Sequence, residues 1–101
     1  MNDPFAALRD KFLLRCRAER AVLAEIEREP RLGDDGRTGE LVRLAHGLAG
    51  AGGTFGFDRL SEIASRAEIA IAESRPLPQQ NAALAALIAE LDGVVGAGPE
   101  R

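Results

Sequence analysis

Apolar residues recur at helical spacing along most of the chain, and breaks rich in glycine and proline divide them into four amphipathic segments. Asp3 and Pro4 form a helix start, because Asp caps free backbone N–H groups and Pro tolerates the first helical position. Phe5, Leu8, Phe12, Cys16, Leu23 and Ile26 then recur at spacings of three, four and seven among Arg and Glu, up to Pro30, which disfavours helical geometry at Glu29. The stretch PRLGDDGRTG reads as a loop from about Pro30 to Gly39, with Thr38 or Asp35 placed to cap the next helix. Leu41, Leu44, Leu48 and Ala51 mark the inward face of that second helix, which fades in the run Gly52, Gly53, Thr54, Phe55, Gly56. Asp58, acidic where a helix N-terminus is positive, opens a third stripe of Leu60, Ile63, Ala64, Ala67 and Ile71. Pro76 and Pro78 bracket a short turn, and Leu84, Leu87, Ile88, Leu91 and Val95 give a fourth apolar face before Gly96, Gly98 and Pro99 stop it.

The pattern predicts helices over about 4–29, 39–53, 57–74 and 78–95. No run of alternating β-branched residues bounded by hairpin turns supports a sheet. Four helices on short connections imply an all-α, antiparallel up-down four-helix bundle, and a length of 101 residues leaves room for one domain spanning residues 1–101. With four Phe and neither Trp nor Tyr, the core must be built mainly from Leu, Ile, Val and Ala, which suits helix-on-helix packing.

Charge narrows the partners. A net charge of -3 and a pI near 5.1 leave no strongly basic face for nucleic-acid phosphates. No apolar run approaches the roughly 20 residues that span a bilayer, and the opening MNDPF has no basic region or apolar signal core, so the expectation is a cytoplasmic protein without a membrane segment. Cys16 is the only cysteine, so no intramolecular disulfide forms, and four residues after Phe12 it reads as a small buried apolar residue.

The segment Leu41 to Phe57, LVRLAHGLAGAGGTFGF, departs from what a plain bundle wants. Five glycines fall between positions 47 and 56, and each one inside a helix costs about 0.5–1 kcal/mol relative to Ala. At 100° per residue, His46 shares a helix face with Val42 and Arg43 before it and with Ala49, Gly50 and Gly53 after it. The only histidine of the chain therefore projects with small residues along the turns beyond it, and a partially neutral imidazole offers a ring nitrogen to an electrophilic phosphorus. An ordinary surface or core histidine, with glycines that serve tight helix packing, fits the same residues, and chemistry alone leaves both readings open.

AHGLAGAGGTFGF, with the adjoining LSEIA, resembles the signature of histidine-containing phosphotransfer domains, which pair HxLKG with a later glycine and a second amphipathic helix. The resemblance covers about Leu41 to Glu68 by motif, and the rest of the chain by length and pattern. It implies a helical bundle whose histidine, here His46, accepts phosphate from a receiver-domain aspartate and passes it to another receiver, with Gly50 at the position of close approach. It implies receiver domains of response regulators or hybrid histidine kinases as partners, no cofactor, and a phosphoryl carrier rather than an enzyme, expected to be monomeric. The family usually has lysine three residues after the histidine, where this chain has Ala49. Arg43, one turn before His46, is the candidate substitute as phosphate partner, with Arg59 and Arg66 as weaker ones and a solvated charge as the competing reading for Arg43. Docking is expected around Ala49, Gly50 and Gly53. The missing lysine keeps open an alternative, a helical adaptor that binds or inhibits a histidine kinase or response regulator without carrying phosphate.

Other chemistries find no support. One His and one Cys fall short of a metal-ligand set, and Asp34 and Asp35 lack the further oxygen ligands of a calcium loop. Ser61 and Ser65 come without a nucleophile elbow, and the glycine run lacks the lysine and hydroxyl of a phosphate-binding loop.

Overall fold

The computed structural model of the chain describes residues 3–28 and 35–96, with side chains from residue 38 onward in the second stretch. Those residues form four α-helices and no strand: α1 (Pro4–Glu27), α2 (Asp35–Thr54), α3 (Asp58–Ala72) and α4 (Leu77–Gly96). The architecture is the all-α four-helix bundle expected. Each helix has two flanking neighbours in a ring: the α2–α3 pair is the most extensive, followed by α3–α4 and α1–α4, while α1 meets α2 most sparsely.

Local chemistry sets most of the ends. Asp3 caps α1 by accepting from the Phe5 N–H at 3.0 Å, with Pro4 in the first turn. The end of α2 is a Schellman motif: the Phe57 N–H reaches the Gly52 carbonyl at 2.8 Å, the Gly56 N–H reaches that of Gly53 at 3.3 Å, and Gly56 takes a φ of +85°. The same motif closes α3, where Arg75 N–H bonds the Ala70 carbonyl at 3.0 Å and Ser74, a non-glycine, takes the left-handed position at φ +52°.

Two boundaries differ from the sequence reading. α2 begins at Asp35 rather than at residue 39, so Thr38 and Gly39 lie inside the helix instead of before it; a single glycine lowers helix stability by only about 1 kcal/mol and does not by itself end a helix. Pro78 falls within the first turn of α4 rather than in the preceding turn, a position where a missing N–H costs nothing. Glu29, Pro30 and Asp34, and the stop signals Gly98 and Pro99, lie outside the described residues.

The core consists of Phe12, Cys16, Leu23 and Ile26 from α1, Leu41, Ala45 and Leu48 from α2, Leu60, Ala64, Ala67 and Ile71 from α3, and Leu84, Leu87, Ile88 and Leu91 from α4. Leu44 and Ala51, expected on the inward face of α2, are only partly buried, and Ala45 takes the inward position between Leu41 and Leu48. Phe5 and Leu8 also depart from expectation, at 42% and 51% exposed, because only part of the bundle reaches the first turns of α1. Phe5 nonetheless packs on Phe55, with ring centroids 5.1 Å apart, and Phe12 packs on both Phe55 and Phe57, at 5.3 and 5.8 Å. All four phenylalanines thus form one cluster that pins the α2–α3 turn to α1, each ring pair adding about 0.5–1.5 kcal/mol beyond its buried area.

Candidate functional site

The turn from Phe55 to Phe57 folds α3 back along α2, so that Ala49 faces Ser61 and His46 faces Glu68. His46 and Glu68 stand equally far from Phe57 in sequence, and the fold-back brings them together. The seam between the two helices is tight. A Cβ on buried Gly52 would lie 3.3 Å from the Ser61 nitrogen and 3.4 Å from the Phe57 carbonyl oxygen, and the Ser61 hydroxyl donates to the Ala49 carbonyl at 2.6 Å. Glycine at 52 is therefore a packing residue, and the Ser61 bond ties α3 to α2 one turn beyond His46.

His46 stands out of this seam with its side chain 76% exposed, while its Nδ1 lies 2.9 Å from Oε2 of Glu68, a side chain only 27% exposed. A carboxylate accepts hydrogen bonds and does not donate them, so in the neutral imidazole this contact favours the tautomer with the proton on Nδ1 and the lone pair on Nε2. The ring is thus oriented by a residue of the neighbouring helix.

Arg43, Gly50 and Gly53, singled out from the sequence, are exposed on the His46 side of α2, while Ala49 is half-buried at the α2–α3 seam. Arg43 turns its guanidinium back toward Gly39, 3.8 Å from where a Cβ on that residue would sit. Arg59 pairs with Glu90 of α4 at 2.9 Å, and Arg66 pairs with Glu62 on its own helix at 2.8 Å, so both weaker candidates are engaged elsewhere. Gly50 has nothing within 4 Å of an added Cβ, and at Gly53 such an atom would make only ordinary contact with Ser61, 3.5 Å from its hydroxyl oxygen. Neither glycine is required by the packing of the bundle itself.

Two residues were missed by sequence reasoning. Glu68 was legible only as the outer edge of the motif, and its role needs the fold-back register. Arg15 of α1 lies across Gly47, its guanidinium where a Cβ would otherwise stand, held by a 2.7 Å pair with Glu19; no sequence spacing connects positions 15 and 47. Cys16, the remaining reactive side chain, is fully buried. Burial, with the Glu19 carboxylate, outweighs the nearby Arg15 and pushes its thiol up to about 11, which keeps it neutral and unreactive. Among the described residues no group of three or more His, Cys, Asp and Glu is placed to hold a metal ion, and no helix is long and apolar enough to cross a membrane.

The described residues form a helical bundle that presents one histidine to solvent, with a carboxylate against its ring. The family model of the Hpt domain matches residues 7–97, and the chain belongs to that family, the histidine phosphotransfer domains of phosphorelay signalling. Hpt domains are phosphocarriers that interact with receiver domains. No curated protein and no solved structure matches the chain.

Proposed function

We propose that His46 is the phosphoacceptor, taking a phosphoryl group from the aspartyl phosphate of one receiver domain and passing it to another. The observation that carries this reading is the His46–Glu68 hydrogen bond at an otherwise exposed imidazole. An adaptor has no use for a histidine with an assigned tautomer, whereas a nucleophile needs one nitrogen free and aimed outward.

In the forward step the Nε2 lone pair attacks phosphorus, the N–P bond forms, and the bond from phosphorus to the receiver's aspartyl oxygen breaks, its electron pair leaving with the carboxylate. The ring gains positive charge while still carrying the Nδ1 proton, and Glu68 faces that proton with its negative charge. Onward transfer reverses these movements, with Glu68 again holding Nδ1–H. This chain supplies nucleophile and docking surface, and positioning groups for the phosphoryl come from the receiver.

Gly50 and Gly53 belong to the same reading. Both are exposed on the His46 side of α2, and the bundle needs neither of them for steric reasons, so their absent side chains favour close approach of a partner along the turns after His46. The test is incubation of the purified chain and its His46→Gln variant with phosphorylated receiver domains. Acid-labile label on the wild-type chain and none on the variant is the expected result. Receivers that bind without any label appearing would replace the carrier by the adaptor.

A further inference from the structure

We infer that Arg15, on a different helix from the acceptor, supplies the cationic flank of the phosphorylated site, a role that rests on the carrier reading above. The residue three positions after His46 is Ala49, half-buried with its carbonyl taken by Ser61, and the charge that α3 brings to the acceptor is the negative one of Glu68. On the other side, α1 lays Arg15 over Gly47, the residue next to His46 in the chain. Glycine at 47 is what permits this, because any Cβ there would displace the guanidinium. The Glu19 carboxylate, only 18% exposed, holds the Nε of Arg15 at 2.7 Å and so restrains the direction of the side chain. The Arg15 side chain itself remains 43% exposed, open to a ligand on its outer edge.

The acceptor thus has an acid from α3 at its ring and a cation from α1 over the adjoining Gly47. The two serve different states: the carboxylate faces the ring proton, and the guanidinium offsets the phosphoryl group, which brings a charge of about -1.5 to -2 on ordinary phosphorylated side chains. Arg43, on the acceptor's own helix, is the rival for this task, but its guanidinium lies back toward Gly39.

The experiment compares the full chain with Arg15→Gln, Arg15→Lys and Arg43→Gln, each first checked for wild-type helicity and urea midpoint. Each is equilibrated with a phosphorylated receiver, and the ratio of phospho-His46 to phospho-receiver is read at low and at high salt. At equilibrium this ratio reports the relative stability of the phosphorylated state and not the strength of docking. Arg15→Gln is expected to lower it roughly three- to tenfold at about 0.05 M salt, and by less than about twofold at about 1 M, where the screening length falls to about 3 Å. Arg15→Lys is expected to restore most of the loss, and Arg43→Gln to stay within about twofold of wild type.

An unchanged ratio in Arg15→Gln, or a loss that salt leaves untouched, overturns the assignment. Direct labelling with phosphoramidate, which needs no receiver, separates the levels of failure. A wild-type chain that labels on His46 but shows no Arg15 effect removes only this inference. One that takes no phosphate from either donor removes the carrier reading and this inference with it.

Discussion

The imidazole Nδ1 of His46 and the Oε2 of Glu68 lie 2.9 Å apart across the α2–α3 seam, joining two residues 22 positions apart in the chain. That bond makes Glu68 the residue whose loss should most clearly separate chemistry from folding.

Glu68→Ala is expected to slow phosphorylation of His46 by roughly tenfold, the rate equivalent of about 1.4 kcal/mol, consistent with one hydrogen bond to a charged group at a partly exposed site. Glu68→Gln keeps an oxygen acceptor for Nδ1–H and should lose less. Initial labelling rates with phosphoramidate, alongside unchanged helicity by circular dichroism, check both. Equal rates in all three proteins would mean that the tautomer is not set by this contact.

The glycines of α2 should divide by environment. Gly50→Ala adds a methyl group in open space on a helix and is expected to stabilise the fold by about 0.5–1 kcal/mol. Gly52→Ala meets backbone atoms of Ser61 and Phe57 and is expected to destabilise it by about 1 kcal/mol net, overpacking outweighing the helical gain. Urea midpoints at constant slope distinguish the two. A large side chain at Gly50 should leave the fold intact and impair transfer.

Ser74 occupies the left-handed cap of α3 at φ +52°, where a Cβ is disfavoured. Ser74→Gly should therefore raise stability by about 0.5–1 kcal/mol, and Gly56→Ala, in the equivalent cap of α2 at φ +85°, should lower it by about 1 kcal/mol. Thermal melts of the two single variants read these opposite signs.

Cys16 gives the chain a dependence on alkaline pH. Its folded-state value is raised to about 11 from 9.0, so as pH rises past about 9 the unfolded chain releases this proton first and gains stability relative to the folded one. The contribution is fully present below pH 9 and is lost progressively between about 9 and 11, to a total of about 2–3 kcal/mol. Unfolding free energies of wild type and Cys16→Ala, measured across this range, should converge as pH rises. Parallel curves would show that the thiol takes no part.

Much of this protein was legible in one dimension because the responsible interactions are local. Asp3 and Pro4 announce the start of α1, the glycine run announces the end of α2, and the apolar spacing of α3 and α4 identifies Leu60, Ala64, Leu84 and Leu91 as core, since helical periodicity repeats every few residues. The segment around His46 could be singled out for the same reason. Its glycines carry a local helix cost that something else must offset.

Their separate reasons could not be read that way. Gly52 is explained by Ser61 and Phe57 and Gly56 by its backbone angle, Gly47 has a guanidinium from α1 laid over it, and Gly50 and Gly53 have no packing neighbour that an added Cβ would crowd. Phe5 and Leu8 have the period of core residues yet stand exposed, because periodicity identifies a face and not what covers it. Glu68 reaches the histidine from α3 and Arg15 reaches the adjoining Gly47 from α1, and which side chains of two separate helices meet depends on register and rotation, which sequence spacing within one helix does not contain. The sequence alone determined the helices, the family and the candidate nucleophile. Only the packing of α3 and α1 against α2 decided that Glu68 meets the ring of His46 and that Arg15 lies over Gly47.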